Sequence, residues 1–416
     1  MKLLNSVIAK IKPSPSEKKE IKKKINIFLK KLNRSLKGTK AILGGSGAKD
    51  TWLRGVKDAD IFVLFDYKKF KDKSDQLSDI IEPILKRHFK IERVHGSRDY
   101  FQIKDKNFIF ELIPILNIKR AEDAVNITDV SPLHALFVKK HSKLSDEIRL
   151  LKQFCNANKF YGAESHISGF SGYACEVLII NYGSFINLIK KASKWKPKVI
   201  IDFKKYYKGK NPLNELNPSK LYSPLIIIDP VQKTRNVTAA LSLEKFNQFK
   251  ELCKKFIKNP KIDYFTEKEF SFDKIRKKAK NKKLILLKVK TSAGKADIIG
   301  SKIIKIIGWI VKKLKNNDFK VIASGWEWDD KTNALLWIIT DKKDISLNKD
   351  VAGPHNKVPE EFIRNFKKKY KTITLKKGRF FAKIKRKFTN PELFVKDLIK
   401  KDPYIKEKVE SIKWMH

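Results

Sequence analysis

Residues 44–66 read GGSGAKDTWLRGVKDADIFVLFD, and this stretch decides the fold of the N-terminal third of the chain. The segment Asp58–Phe65 predicts a strand, because β-forming apolar residues follow one another there and a Lys-rich run comes after Asp66. Residues i and i+2 of a strand point to the same face, so the carboxylates of Asp58 and Asp60 project together. Upstream, Gly45 and Ser46 predict an exposed backbone turn at the start of a helix, where N–H groups suit a triphosphate.

The acidic pair indicates a site for divalent cations. Two like charges held side by side are costly unless a cation lies between them. Two-metal phosphoryl and nucleotidyl transfer uses such carboxylates to hold ions roughly 3.5–4 Å apart. Glu111, inside the apolar run FIFELIPIL (108–116), is the candidate third carboxylate, because a buried acid is costly without a cation or a partner. The alternative is a pair in a solvated turn and a Glu111 that faces water from an edge strand.

The surrounding pattern predicts a small α/β domain over residues 1–142. Ser14 and Glu17 form a capping-box signature with proline at the first helical position, so an amphipathic helix should begin at Pro15. The predicted elements of this domain are helices at 15–36 and 75–90 and strands at 39–44, 58–65 and 108–116.

Beyond residue 142 the pattern becomes helical and then mixed. In the helical part, Ser145 is expected to cap the first helix, and glycines are expected to interrupt the apolar run at 167–189. Residues 196–221 predict a surface excursion, and a helix should follow at 242–257. For the last part we expect strands at 283–290, 319–328 and 334–340 and helices at 301–315, 360–370 and 390–401.

The charge of the chain points to a polyanionic partner. Its 416 residues include 93 Lys and Arg against 45 Asp and Glu, a formal net charge of +48. Hydrophobic residues make up 42% of the chain, enough to bury cores, which excludes global disorder. A basic excess of this size predicts RNA, DNA or an anionic membrane surface as the partner. The alternative is a Lys-rich background composition, because arginine is scarce.

Cysteine usage and the N-terminus bear on the compartment. Cys155, Cys175 and Cys253 lie far apart and form no C-x-x-C pair, which argues against a disulfide framework and a thiolate metal site. The N-terminus has no secretory pattern, and the apolar stretches fall short of the ~20 residues that span a bilayer. We therefore expect a soluble, cytoplasmic protein with no membrane partner.

Several blocks of the chain, in order, resemble one known family. The stretch 44–66 resembles the nucleotidyltransferase signature of the archaeal-type (class I) CCA-adding enzymes, the tRNA nucleotidyltransferases. Similar to further blocks of that family are SPLHALFVKKH (131–141), DEIRLLKQFCNANKFYGAESHISGFSGYACEVLIINYGSF (146–185), IDPVQKTRNVTAALS (228–242) and VAGPHNKVPEEFIRNFKKKY (351–370). The resemblance is strong over about residues 40–250 and thinner beyond.

This resemblance implies a multidomain α/β and α+β architecture. A nucleotidyltransferase (polymerase β-like) catalytic head would occupy residues 1–142, and a helical neck that completes the nucleotide pocket would occupy residues 143–258. Residues 259–416 would form an α+β body and tail that binds tRNA. The implied activity is the addition of C, C and A to the 3′ end of tRNA from CTP and ATP, without a nucleic-acid template and with a two-metal Mg²⁺ site.

The resemblance also assigns roles to residues at matching positions. Asp58, Asp60 and Glu111 would be the catalytic, metal-binding carboxylates. The residues that would bind the incoming nucleotide are Ser46 and Lys49 at the triphosphate, Ser131, His134, Lys152 and Tyr161 around the nucleotide, and Arg235 at the base edge and the RNA backbone.

Three positions depart from the family pattern. Glu111 stands where aspartate is usual, so its carboxylate reaches one methylene further. Ser131 replaces the usual threonine but keeps the hydroxyl, and Gln232 stands where an acid is expected. These departures indicate a divergent member that keeps its activity, with the role of Gln232 open.

The C-terminal part predicts RNA contact independently of the resemblance. Lysine and arginine runs alternate with aromatic residues at 366–370, 379–381 and 385–388. Basic groups neutralise phosphates and rings stack on bases, so binding to the tRNA acceptor stem and 3′ end would depend strongly on salt.

Other functions remain as alternatives at this point. A poly(A) or oligoadenylate-type transferase shares the catalytic core but not the blocks between 146 and 242. A catalytically silent RNA-binding protein would be free to lose its costly acids, and a membrane-surface protein explains only the charge. The sequence leaves open the oligomeric state, a homodimer included, and the switch from CTP to ATP.

Overall fold

The structure is a computed structural model that describes residues 2–267, 270–292, 296–329 and 332–415. The internal contacts of the chain divide it into two units, Met1–Lys268 and Glu269–His416. The first unit holds a five-stranded sheet and a helical part, and the second holds two antiparallel sheets and their helices.

A five-stranded sheet forms the centre of the first half of the first unit. Its strands lie in the order β1-β2-β5-β4-β3, where β2 and β5 pair parallel and the other neighbours pair antiparallel. The strands are β1 (Lys40–Leu43), β2 (Asp58–Asp66), β3 (Ile91–Val94), β4 (Tyr100–Asp105) and β5 (Phe108–Asn117). The helices around them are α2 (Pro15–Ser35), α3 (Gly45–Lys49), α4 (Tyr67–Phe70) and α5 (Leu77–His88).

One face of this sheet is apolar and packs against α2 and α5. Along β2 the side chains of Ala59, Ile61 and Val63 are buried in the same core as Phe28 of α2. The ring of Phe28 stacks on Phe110 of β5 with centroids 3.8 Å apart. Because strand side chains alternate, the residues between the apolar ones face away from this core. The predicted helix at 15–36 and strands at 39–44, 58–65 and 108–116 are confirmed within a few residues.

The second half of the first unit is helical and has its own core. It contains α6 (Ser131–Lys139), α7 (Ser145–Ala157), α8 (Gly172–Tyr182), α9 (Phe185–Ala192), α10 (Pro212–Glu215), α11 (Leu243–Lys258) and the parallel pair of β6 (Val199–Ile201) and β7 (Leu225–Ile227). The N-terminal helix α1 (Lys2–Ile11) packs against α7 and buries Val7 in this second core. The limits at residues 142 and 258 stay predictions.

Two sequence predictions in this half are wrong in detail. Ser145 does not cap α7 but is its first residue, because the chain enters the helix directly from a 3₁₀ turn at Ser142–Leu144. Residues 196–221 are not only a surface excursion, since β6 pairs with β7 and buries Ile201. The glycine break is confirmed, because Gly183 adopts a left-handed conformation (φ 78°) and ends α8.

The second unit contains two antiparallel sheets. Four strands lie in the order β14-β8-β10-β9 and three in the order β11-β13-β12. The strands are β8 (Lys283–Lys290), β9 (Val321–Trp328), β10 (Asn333–Thr340), β11 (Asn348–His355), β12 (Ile373–Lys376), β13 (Arg379–Lys385) and β14 (Ser411–Met415). The helices are α12 (Phe272–Lys278), α13 (Ala296–Asn316), α14 (Glu360–Lys369), α15 (Pro391–Lys401) and α16 (Pro403–Lys408).

The long helix α13 packs against β9 and β10 and supplies much of the core of this unit. Ile303, Ile306 and Ile310 on α13 are fully buried, at the spacing of one helix face. The predicted order of strand, helix, strand, strand is confirmed by β8, α13, β9 and β10. The strands β11 to β14 were not predicted.

Among the described residues, no single helix is long and apolar enough to cross a membrane. The helices α8 and α9 reach that length and composition only as a pair, which is bent by 94°.

Candidate active site

The three predicted carboxylates lie on the face of the sheet opposite the core. Asp58 and Asp60 are two residues apart on β2, and the parallel register pairs Asp60 with Glu111 on β5. Gln102 on β4 is in turn paired with Glu111, and its Nε2 donates a hydrogen bond to Glu111 Oε1 at 2.7 Å. The structure therefore brings the acids of two distant segments to one patch of the sheet.

The glycine turn lies directly beside the carboxylates. Gly44 N donates to the carbonyl oxygen of Asp60 at 2.8 Å, which ties the start of α3 to β2. Gly45 has φ +52°, and a Cβ built on it would lie 1.6 Å from Asp60 Oδ2. Only glycine fits there. Ser46, the second residue of α3, is half-buried next to this contact.

The electrostatics of the acidic patch favour a cation. Burial raises the pKa of Asp58, and burial and the charge of Asp58 raise the pKa of Asp60. The pKa of Glu111 is raised by burial and by both aspartates, although Gln102 opposes this shift. Oxygen ligands of this kind suit Mg²⁺, and a divalent cation would relieve the repulsion that the raised pKa values report.

The three carboxylates are not gathered around one point. Within the described ranges, no three His, Cys, Asp or Glu side chains are close enough together to hold a metal ion. Glu111 instead accepts the hydrogen bond from Gln102. The metal-binding role of Asp58, Asp60 and Glu111 therefore stays a prediction, which the shared face and the charges of the patch support.

A buried cluster of two lysines and one glutamate joins α3 to α7 and α8. Glu176 accepts hydrogen bonds from Lys49 Nζ at 2.8 Å, from Lys152 Nζ at 2.8 Å and from Thr51 Oγ1 at 2.7 Å. The Glu176 side chain is 1% exposed. Burial alone would raise the pKa of Glu176, but Lys152 and Lys49 lower it to about 2. We call Lys49, Thr51, Lys152 and Glu176 the lysine cluster.

A second cluster centres on the fully buried carboxylate of Asp229. Asp229 Oδ2 lies 2.9 Å from His134 Nε2 and accepts a hydrogen bond from Arg235 Nη1 at 2.9 Å. Tyr173 Oη donates to Asp229 Oδ1 at 2.9 Å, and the Tyr173 ring stacks on His134 with centroids 4.0 Å apart. Burial lowers the pKa of His134, although Asp229 opposes this shift.

The two clusters are neighbours. Lys49 Nζ lies 5.5 Å from the centroid of the Tyr173 ring, and the Arg235 guanidinium lies 5.9 Å from the same centroid. Lys49 and Lys152 also act on the pKa of Asp60, which their positive charges lower against the effect of burial. The lysine cluster thus lies between the acidic patch and the Asp229 cluster.

The remaining predicted residues lie on elements that border these clusters. Ser131 is the first residue of α6, which packs against α3. Tyr161 forms a bridge with Phe170, and burial raises its pKa. A Cβ on Gly172 would lie 2.8 Å from Tyr161 Oη and 3.8 Å from Lys152 Cε, so the phenol lies close to the lysine cluster.

Sequence reasoning missed four residues of this region. Glu176, Tyr173 and Asp229 were not selected as site residues, although all three lie in blocks that carry the resemblance. Arg149 was also missed: it is buried, and it donates to the carbonyl oxygens of Asp50 and Trp52 at 2.6 and 2.9 Å. For Glu176 the available signal was an acid inside the apolar helix α8, which is costly without a partner.

In the second unit, basic and aromatic residues alternate on α14 and β13 as predicted. Lys367 Nζ lies 5.3 Å from the centroid of the Phe380 ring, and the rings of Phe366 and Tyr370 lie 4.8 Å apart. Phe362 is 60% exposed on the same helix. The RNA-binding role of this surface stays a prediction.

Three family models match successive parts of the chain. Residues 22–115 match the nucleotidyltransferase domain, residues 146–266 match the second domain of tRNA nucleotidyltransferase, and residues 280–412 match the C-terminal domain of the CCA-adding enzyme. The expected nucleotidyltransferase head and multidomain α/β architecture are confirmed.

Curated relatives are similar to the chain over nearly its whole length. The CCA-adding enzyme of Nanoarchaeum equitans is 34% identical over 414 residues, which is 97% of this chain and 96% of that protein. The CCA-adding enzyme of Saccharolobus shibatae is 33% identical, with 94% and 90% covered. That of Methanocaldococcus jannaschii is 30% identical, with 95% and 90% covered.

Solved structures share the fold of about two thirds of the chain. A cytoplasmic RNA terminal U-transferase has a TM-score of 0.50 at 13% identity and covers 65% of this chain and 98% of its own. The Cid1 poly(U) polymerase, solved with MgATP bound, has a TM-score of 0.52 at 14% identity, with 64% and 98% covered. At this identity the likeness concerns the fold alone.

Proposed function

This chain belongs to the CCA-adding enzymes, and from that membership we propose that it adds C, C and A to the 3′ end of tRNA from CTP and ATP, without a nucleic-acid template. The 3′-hydroxyl of the RNA attacks the α-phosphorus of the nucleotide, and pyrophosphate leaves. One observation carries the proposal: Asp58, Asp60 and Glu111 share one face of the sheet, next to a buried cluster of lysines.

We propose that Asp58 and Asp60 hold Mg²⁺, with Glu111 as the third carboxylate. Bound there, Mg²⁺ would neutralise charge on the attacking and leaving oxygens. The side chains fit this role, because burial raises the pKa of all three and neighbouring carboxylates raise those of Asp60 and Glu111 further, a repulsion that a cation relieves. If the Glu111 side chain rotated away from Gln102, its carboxylate would join Asp58 and Asp60 as the third metal ligand.

The other residues of the site bind and orient the nucleotide in this proposal. Lys49 offers its ammonium group to the triphosphate, next to Ser46 at the start of α3. Lys152 borders the nucleotide site, where its own ammonium donates to Glu176 and Thr51. Arg235 presents its guanidinium to the base edge and the RNA backbone, and Asp229 holds it in place. His134, Ser131 and Tyr161 line the nucleotide pocket between the head (1–142) and the helical neck (143–258).

The proposed partners are tRNA, CTP and ATP. The basic and aromatic surface of α14 and β13 in the body and tail (259–416) would contact the acceptor stem and 3′ end, by neutralising phosphates and stacking on bases. The proposed compartment is the cytoplasm, in keeping with three buried cysteines that are free thiols. Light scattering with size-exclusion chromatography distinguishes a monomer from a homodimer.

A tRNA-extension assay tests the proposed function. The protein is incubated with Mg²⁺, CTP, ATP and a tRNA that lacks its last three nucleotides, and the new 3′ end is sequenced. We expect the sequence CCA and no further extension. Long adenylate runs would instead support a poly(A)-type transferase, and a tRNA that is bound but not extended would support a silent RNA-binding protein.

A further inference from the structure

The lysine cluster holds two ammonium groups on one carboxylate. Each of the two Glu176 oxygens accepts from one lysine, Oε1 from Lys152 and Oε2 from Lys49, both at 2.8 Å. The side chains of Lys152 and Glu176 are 3% and 1% exposed. Two cations so close together in a buried place repel each other strongly, so their positions depend on the carboxylate between them.

The two lysines differ in the donors that they have left. An ammonium group has three N–H donors. Lys152 Nζ lies 2.8 Å from Glu176 Oε1, 2.9 Å from Thr51 Oγ1 and 3.3 Å from the Thr51 carbonyl oxygen, so its donors are occupied. Among the described residues Lys49 Nζ makes one hydrogen bond, to Glu176, and its side chain is 11% exposed. Lys49 is therefore the lysine that can donate to a further acceptor without leaving Glu176.

The cluster also spans two parts of the first unit. Lys49 and Thr51 follow the glycine turn before β2, whereas Lys152 and Glu176 lie on α7 and α8. The net charge of two lysines and one glutamate is positive, and the positive charges of both lysines act on Asp60. An anion bound beside Asp60 would therefore contact the ammonium of Lys49, whose position is fixed by Glu176 on α8.

We propose that Glu176 is a positioning residue for nucleotide binding, which fixes Lys49 so that its free donors meet the triphosphate of CTP or ATP. This inference rests on the proposed function, because it concerns the nucleotide of the same reaction. Lys152 supports Glu176 and Thr51 from the neck side, and Lys49 makes the direct contact with phosphate.

A positioning role for Glu176 and a simple charge effect predict opposite changes in the KM for a triphosphate. If Glu176 only neutralised charge, Glu176→Gln would leave the pocket more positive and lower the KM for a triphosphate. If Glu176 fixes Lys49, the same substitution releases a flexible ammonium that is repelled by Lys152, and the KM rises. The positioning role predicts the second result.

The experiment measures kcat and KM for CTP and ATP with a tRNA that lacks its 3′ CCA. For Glu176→Gln we expect KM to rise roughly tenfold and kcat to change much less, since one charge-assisted contact is lost from nucleotide binding. Glu176→Asp keeps the charge but is one methylene too short to reach both lysines. Its KM should therefore lie between that of the unchanged protein and that of Glu176→Gln. In a Lys49→Met background, Glu176→Gln should change KM little, because the two residues act as one unit.

A matched control separates positioning from folding. Glu147→Gln removes a carboxylate on α7 that accepts a hydrogen bond from Phe185 N at 2.7 Å and contacts neither lysine. The KM of this variant should equal that of the unchanged protein. Urea unfolding identifies variants that do not fold. If Glu176→Gln does not fold, the KM of Glu176→Asp tests the positioning role instead. An unchanged or lower KM in the folded Glu176 variants overturns the positioning role. Failure of the unchanged protein to extend the tRNA overturns the proposed function instead.

Discussion

At the scale of single residues, the ionised state of each charged side chain in the site depends on the charges beside it. Asp60 is the clearest case, because burial and Asp58 both raise its pKa while Lys49 and Lys152 lower it. Its neighbour Gly45 leaves no room for a Cβ, so the backbone of the glycine turn touches the carboxylate. Substitutions here should therefore affect chemistry and stability in different directions.

Asp60→Asn should abolish nucleotide transfer while tRNA binding stays nearly unchanged. Because the folded protein disfavours the ionised Asp60, removal of its charge should also raise the thermal unfolding midpoint in the absence of divalent cations. The unchanged protein should be stabilised by added Mg²⁺, and the variant much less. Differential scanning calorimetry and the extension assay measure these effects.

Glu92→Gln is the control for this prediction, since Glu92 is 61% exposed on the edge strand β3 and pairs with Lys104. Its transfer rate and its response to Mg²⁺ should be those of the unchanged protein. Full activity of Asp60→Asn would remove Asp60 from the metal site.

Arg235→Ala should reduce nucleotide selection more than stability. The Arg235 side chain is 27% exposed, and Asp229 keeps its contacts with His134 and Tyr173 after the change. Loss of a charged hydrogen bond of ~1.5–3 kcal/mol predicts a drop of about tenfold or more in the discrimination between CTP and UTP. Competition assays with both nucleotides measure it.

Arg235→Lys tests the same residue further, because lysine keeps the charge without the planar donor fork. Its discrimination should remain below that of the unchanged protein. Unchanged discrimination in Arg235→Ala would refute the role in base reading.

At the scale of elements, local patterns predicted α2, β2 and β5 well. The capping box at Ser14 and Glu17 is present as predicted, with Glu17 N donating to Ser14 Oγ at 3.1 Å. Strands β2 and β5 are long apolar runs closed by polar residues, which is a strong signal. By contrast, β11 (Asn348–His355) carries charged residues and a Gly-Pro step, so only its pairing with β13 makes it a strand.

The site was predictable to the extent that it lies in short motifs. Asp58 and Asp60 could be placed on one face from their spacing alone. Glu176 could not be paired, because Lys49 lies 127 residues away in sequence and Lys152 lies 24 away. A single sequence does not show which of its many lysines pairs with a buried acid. The tertiary packing of α3, α7 and α8 determines that pairing.

The capping box of α2 gives a prediction at this scale. Ser14→Ala should lower the free energy of unfolding of the first unit by about 1 kcal/mol, because the first turn of α2 loses its side-chain acceptor. Nucleotide transfer at a temperature where the protein is folded should not change. Ser35→Ala at the other end of α2, where the hydroxyl donates to the Lys31 carbonyl oxygen, should have a smaller effect on urea unfolding. Equal effects of the two variants would contradict the capping role.

At the scale of the whole molecule, the buried carboxylates make stability depend on pH. Glu176 and Asp229 have pKa values of about 2 in the folded protein, against ordinary values of 4.5 and 3.8. A carboxyl group with a lowered folded pKa stabilises the fold above its unfolded pKa, and this contribution is lost as pH falls through the folded value. Asp58, Asp60 and Glu111 act in the opposite direction, because their pKa values are raised.

We therefore expect the urea-unfolding midpoint of the first unit to fall steeply between a pH of about 4.5 and about 2. Circular dichroism of the full chain at a series of pH values measures it. Glu176→Gln should flatten this dependence, since one of the two groups no longer titrates. A midpoint that stays constant down to a pH of about 2 would contradict the ionised, lysine-bound state of Glu176.

The packing of α1 has a consequence for the order in which the molecule forms during translation. Val7 of α1 is buried against α7 and its neighbours, and Arg54 N donates to the Ile11 carbonyl oxygen at 2.7 Å. Because α1 precedes the five-stranded sheet in the chain and α7 follows it, α1 leaves the ribosome before the sheet and the helices that cover it leave after the sheet. The sheet can therefore assemble on the ribosome before α7 is available to α1, and the burial of Val7 is one of the last folding events of the first unit.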